Sequence, residues 1–293
     1  MLTLQDQLSM WSAPFIALMV VLEVVYGAYK KQKLYGVNET LTNLYLTVIT
    51  IGLNLAFRFF YVWIYTLAFT YRFFEITEPV IYWGGLLIIQ DFLFYWLHYV
   101  DHYSRLFWAV HVTHHSSTDY NFTVGFRSSV FEPFYRFAFY LPLGFIGFKA
   151  LDIMFMYSVV QIWGIFLHTK TVKKLPGIIE YIFVTPSHHR VHHGSNIKYL
   201  DKNMGMFLII WDRVFGTFQK ELEEEPVEYG LVTNPESRGP VNIIFHEFKN
   251  ISKDLKRKVP FKTKLKYIFN PPGWSHDGST KTSVELRNER KNS

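Results

Sequence analysis

The sequence predicts an all-α, polytopic membrane protein in which four or five transmembrane helices carry a cytosolic, histidine-rich cap able to hold two metal ions. Three observations lead to this fold class: apolar runs of membrane-spanning length, an apolar and aromatic content of 49% and 19%, and twelve histidines that mostly recur at helical spacing. That content exceeds what a soluble core of this chain length requires.

Four stretches approach or exceed the roughly 20 helical residues that cross a hydrocarbon layer. They are Ala13 to Tyr29, Leu41 to Phe69, Pro79 to Tyr99 and Val130 to Leu167. The first has almost no basic residue before it and no small-residue cleavage site after it, so it reads as a retained span and not as a removable signal. The last is interrupted by Gly144, Gly147 and Lys149, which makes it a hairpin of two helices and raises the count from four spans to five.

Basic residues flanking spans set orientation. Lys30, Lys31 and Lys33 follow the first span, whereas Arg72 is offset by Glu75 and Glu78. The N-terminus is therefore expected outside, and every histidine cluster and the C-terminus in the cytosol. Beyond Thr169 the chain is no longer continuously apolar. Met204 to Trp211 can form a short buried or interfacial helix, and the basic residues between Lys249 and Lys266 alternate with apolar ones in a manner suited to anionic headgroups, or to a solvated face. Residues 1–278 are expected to form one membrane domain with its histidine core at 91–218, and the polar stretch 279–293 a disordered tail. No internal repeat is found.

The composition also excludes chemistry. The chain has no cysteine, which removes disulfides, iron–sulfur clusters and thiol nucleophiles. Its Lys and Arg residues gather at span ends and near the C-terminus, so nucleic acid is not an expected partner. No HExxH, no GxSxG and no glycine-rich nucleotide motif occurs.

The chemistry-bearing pattern is His98-x-x-x-His102, His111-x-x-His114-His115 and His189-x-x-His192-His193. At 3.6 residues per turn such spacings share a helix face, so each group is expected to aim its imidazoles at one point. So many buried imidazoles without metal would be unsatisfied when neutral and repulsive when protonated. His168, closing the last apolar run, is a further candidate ligand. His188, beside the third group, is a candidate ligand or a group hydrogen-bonded behind the ligands. Asp91, two turns deeper than His98, is expected to orient a ligand or handle protons, because intramembrane carboxylates are costly and usually functional. His246 and His276 lie outside the pattern and read as ordinary hydrogen-bonded residues.

Imidazole alone does not select among iron, zinc, copper and nickel. A membrane metal-binding protein without catalysis needs the same histidines.

On these motifs the chain resembles the fatty acid hydroxylase and sterol desaturase superfamily, over roughly Asp91 to Phe218. The runs His114-His115-Ser116-Ser117 with Asp119-Tyr120-Asn121, Thr185 to Gly194, Asp201-Lys202-Asn203 and Trp211 to Phe218 resemble its alkylglycerol monooxygenase branch in particular. Tyr103 stands where that branch carries an acidic residue, and the chain is shorter than the branch's longer members. The resemblance implies an oxygen-dependent enzyme with two iron ions, acting on a lipid drawn from the bilayer. It implies electrons from a reduced pterin or a separate reductase, and a product set by hydroxylation, desaturation or ether cleavage. It adds Asn121 to Asp91 and His188 as residues expected beside the metals.

Overall fold

A computed structural model describes residues 3–292. Among them there are no named strands, only isolated bridges such as Phe183 with Leu208. The chain forms α1 (Leu4–Tyr29), α2 (Val37–Thr70), α3 (Pro79–Tyr103), α4 (Arg105–His115), α5 (Arg136–Ile146), α6 (Ala150–Leu167), α7 (Gly177–Ile182), α8 (Pro186–His192), α9 (Ile210–Phe215), α10 (Pro240–Leu255), α11 (Phe261–Phe269) and α12 (Ser283–Asn292). Helices α1, α2, α3 and α6 are each long and apolar enough to cross a membrane. The protein is an integral membrane protein.

Helix α1 begins nine residues before the apolar run because Thr3 and Asp6 form a reciprocal capping box. Helix α3 starts on Pro79, where a missing amide proton costs nothing. It ends at Ser104, whose extended backbone turns the chain directly into α4. Five of the clustered histidines thus lie on two abutting helices.

The expected hairpin is present but unequal. Helix α5 has 11 residues, about 16 Å at 1.5 Å per residue, roughly half of a hydrocarbon layer. Its pass is completed by irregular chain running alongside α2: Arg127 bonds Asn43, Tyr61 bonds the carbonyl of Pro133, Tyr65 that of Phe137, and the amide of Phe73 meets the carbonyl of Phe145. Non-helical backbone is tolerated at membrane depth where protein covers it. The return into α6 is made at Gly147, whose φ of +125° suits glycine and where a Cβ would lie 2.5 Å from the Phe74 carbonyl oxygen.

Leu86, Leu97, Tyr140, Leu143, Phe148 and Ile153 make the main core between α3, α5 and α6. The cap is α4 and α7 to α12. Met204 to Ile209 is irregular and the short helix spans Ile210–Phe215, beginning six residues later than the expected Met204 to Trp211. Within the tail expected to lack order, Ser283–Asn292 is helical: Ser283 donates to Asp201, and Arg290 pairs with Glu225 at 2.6 Å. A polar helix with no apolar face draws its stability from such partners, which hydropathy does not register.

Candidate metal centre

Nine histidines converge in two groups. His98, His102, His111, His115 and His192 form one, and His114, His168, His189 and His193 the other. They come from α3, α4, the end of α6 and α8. Eight are buried and His114 is half-buried.

The two HxxHH motifs do not each serve one point, as the shared-face argument led us to expect. His111 and His115 enter the five-histidine group while His114 enters the other. His189 and His193 enter the four-histidine group while His192 crosses to the first. At about 100° per residue, positions i and i+4 differ by about 40°, whereas i+3 and i+4 differ by about 100°. Each motif therefore straddles two centres and ties them together.

Hydrogen bonding fixes the tautomers. The Nδ1 atoms of His98, His114, His168 and His192 face the carbonyl oxygens of Met204, Arg127, Gly164 and Lys202 at 2.8–3.0 Å. A carbonyl only accepts, so each Nδ1 carries the proton and each Nε2 is left with a lone pair. His102 Nδ1 faces Asp201 at 3.1 Å. The Nε2 atoms then meet one another: His98 to His111 at 3.0 Å, His115 to His111 at 3.1 Å, and His168 to His189, His193 and His114 at 3.0, 3.1 and 3.3 Å.

One nitrogen bearing a lone pair cannot satisfy three such neighbours. The Nε2 atoms of His102 and His192 have no hydrogen-bond partner among the described residues. Separations near 3 Å match adjacent ligands on one ion with bonds of about 2.1 Å. The donor set fits metal.

Electrostatics agree with this arrangement. Burial, followed by the neighbouring imidazoles, holds His111, His115, His189 and His193 well below the usual histidine range, so they are neutral and able to ligate. His168 is pushed down to about 4 by burial.

The other sequence candidates sit elsewhere. His188 turns its Nε2 to Glu180 at 3.2 Å and accepts from the Thr185 amide on Nδ1, away from both groups. Burial pushes it down to about 4. Asp91 touches no histidine. Its carboxylate takes the amides of Phe207 and Leu208 and the indole N–H of Trp211, all at 2.9 Å. Together with Asp212, which takes the amides of Met204 and Gly205, it folds the loop whose Met204 carbonyl holds His98. Asn121 caps the turn after it and bonds the Leu34 carbonyl. His246 and His276 bond the Ile243 carbonyl and the Tyr267 hydroxyl.

Three polar residues beside the centres are not among the site residues the sequence points to. Asp201, at φ +50°, supports His102. Asp101 is fully buried and shares Arg136 with Glu132. Arg136 reaches to 3.5 Å from His111 Nδ1. A charged residue inside an apolar run was the available signal for Arg136.

A cavity of about 1030 Å³ opens between α1, α2, α5 and α6. Its sides are mostly apolar, among them Ile16, Leu55, Tyr65, Met154 and Ile162, with Asp6 and Arg58 also lining it, and Gly125 and Arg136 form its wall toward the histidines. A Cβ on Gly125 would lie 3.1 Å from His168 Nδ1.

Residues 83–217 match the family described as fatty acid hydroxylase. The chain is 35% identical to the alkylglycerol monooxygenase of Homo sapiens over 90% of its own length and 59% of that protein's. It is 36% identical to that of Xenopus tropicalis, over 89% and 58%. It is 27% identical to the lathosterol oxidase of Homo sapiens, over 52% and 48%. The chain thus spans under two thirds of the alkylglycerol monooxygenases it matches. No solved structure matches it. Residues 83–217, which hold all nine of these histidines, thus form a fatty acid hydroxylase domain.

Proposed function

We propose that the chain is a membrane oxygenase that hydroxylates a lipid C–H bond at two iron ions, one in each histidine group, with an ether lipid as substrate. The observation that carries this reading is the placement of nine inward-facing imidazoles directly behind the inner wall of an apolar cavity. Iron in such a site supplies the activation of dioxygen that an unreactive C–H bond requires. Similarity to alkylglycerol monooxygenases over nine-tenths of the chain supports the substrate class.

The chain's own residues have definable tasks. The nine histidines ligate, five of them held in one tautomer by carbonyls and Asp201. Cavity side chains exclude water and hold an alkyl chain extended, so that one carbon rests against Gly125. Arg136, whose Nε has no partner, is placed to bind a polar group of the lipid. One oxygen atom enters the lipid and the other leaves as water, with two electrons from a reduced pterin or a reductase. Hydroxylation next to an ether oxygen gives a hemiacetal, which falls apart to an aldehyde and a free hydroxyl without a hydrolytic residue. We place this centre and the C-terminus in the cytosol, on the strength of Lys30, Lys31 and Lys33, and read residues 1–278 as one domain.

Membranes containing the protein, given a labelled alkylglycerol, dioxygen and a reduced pterin, should release labelled aldehyde. A hydroxylated or desaturated lipid with no aldehyde would replace the ether-lipid assignment with a sterol or acyl one, a reading that similarity to lathosterol oxidase favours. Bound iron without dioxygen uptake after reduction would leave a metal-binding protein.

A further inference from the structure

Residues 249–269 carry eight basic side chains against the single carboxylate of Asp254, which Arg105 and Arg257 already occupy at 2.7 and 2.8 Å. Lys253, Lys256, Lys258, Lys262 and Lys264 have no ion-pair partner among the described residues. Four of these five are exposed, and Lys264 is half-buried.

Helix α11 adds an apolar stripe that nothing covers. Phe261, Leu265 and Phe269, at i, i+4 and i+8, are 74%, 38% and 54% exposed, while only Tyr267 on the opposite side is buried. Lys262 and Lys266 flank the stripe.

The position of this hairpin relative to the membrane follows from two ties. Phe245 and Phe248 of α10 clasp Phe131, with ring centroids at 5.7 and 5.3 Å, and Phe131 leads through Phe134 to Phe57 on the apolar face of α2. At its other end, the carbonyl of Asn270 accepts from the amide of Arg105, two residues past the end of α3. The hairpin is held where α3 leaves the apolar layer, on the side of the metal centre.

We propose that α10 and α11 form an interfacial foot: the Phe261–Leu265–Phe269 stripe enters the headgroup boundary and the lysines bind the anionic lipids of the same leaflet. The chemistry is that of a basic amphipathic helix, with apolar area below and cations at phosphate level. Its consequence for the cap is mechanical. Arg105, the first residue of α4, is bonded to Glu247 and Asp254 of α10 at 2.7 Å each, so the foot is tied to the helix that carries three of the candidate ligands.

Because the chain has no cysteine, one introduced by Leu265→Cys can carry a fluorophore at a unique position, with Lys220→Cys as an exposed reference. Full-length protein would be reconstituted in bilayers of phosphatidylcholine alone and of phosphatidylcholine with phosphatidylserine, each containing spin-labelled lipid as quencher. The expected result is several-fold stronger quenching at position 265 than at 220 in the anionic bilayer. Quenching should be weaker without phosphatidylserine, and weaker in a Lys258→Glu, Lys262→Glu, Lys264→Glu variant with unchanged metal content. Equal quenching at the two positions would overturn the proposal. So would energy transfer between labelled copies, which would mean that a second copy covers the stripe, or shielding that requires an added acidic electron-carrier protein. If the charge-reversed variant fails to fold, the comparison of the two bilayers decides alone. No turnover is measured, so failure of the lipid-oxygenase reading leaves this test intact.

Discussion

The Nε2 atoms of His98 and His111 lie 3.0 Å apart although His98 has already committed its Nδ1 proton to the carbonyl of Met204. A single proton on His111 Nε2 can serve His98 or His115, which lies 3.1 Å from the same atom, but not both, whereas one metal ion satisfies all three nitrogens. Substituting Ala for any one of the nine clustered histidines should therefore lower bound iron and turnover together, with metal affinity falling by at least about tenfold, the scale seen when even an outer partner is lost. His246→Ala and His276→Ala should change neither. Metal analysis of the purified variants decides it, and full iron in most of the nine would defeat the two-centre assignment.

Asp201 gives a sharper version of the same test. Its backbone sits in the left-handed region and its carboxylate takes His102 Nδ1 and the Ser283 hydroxyl. Asp201→Gly keeps the backbone comfortable and removes only the carboxylate. We expect a 10- to 100-fold loss of affinity, roughly, in the five-histidine group. Asp201→Asn, which still accepts a hydrogen bond, should retain most of it. A metal titration that finds Asp201→Gly indistinguishable from the parent would assign the residue to the turn alone.

The buried histidines should make the metal-free protein less stable as the pH is lowered, against the opposite contribution of Asp212, whose carboxyl burial pushes upward. In the unfolded chain the imidazoles bind protons near pH 6.5, roughly. In the folded protein burial keeps His111, His115, His189 and His193 neutral to well below that. Below about 6.5 the unfolded state then holds more protons, so stability falls as pH is lowered and is flat above about 7.5. Thermal unfolding of the metal-free protein in detergent across this range measures it. A midpoint that rises on acidification would contradict the burial of these groups.

Cavity and metal centre can be separated. Ala17 lines the cavity on α1 and touches no histidine. Ala17→Trp should fill part of that volume, leave iron content unchanged and reduce turnover of long-chain substrates more than of short ones. Unchanged chain-length preference would remove the cavity from the substrate path.

Orientation is testable without chemistry. A reporter fused after Ser293 should be cytosolic and one inserted near Glu75 external. An external C-terminus would move the metal centre away from cytosolic reductant and with it the electron supply proposed above.

The sequence by itself determined the apolar spans and eight of the nine candidate ligands through regular signals, unbroken apolar runs set by bilayer thickness and imidazoles set by 3.6 residues per turn, and His168 through its place at the end of a run. Tertiary structure decided how the ligands are shared. His114 and His192 each leave their own motif for the other centre, since a 100° offset on one helix has no meaning until a second helix faces it. It also decided what the acidic residues do. Asp91 is expensive at its depth, as expected, yet it holds the Phe207–Trp211 loop and not a histidine, while Asp201, legible in the sequence only as part of a family-like run, supports His102. Hydrogen-bond partners of these carboxylates are chosen by packing between segments about a hundred residues apart, and no local pattern encodes that choice.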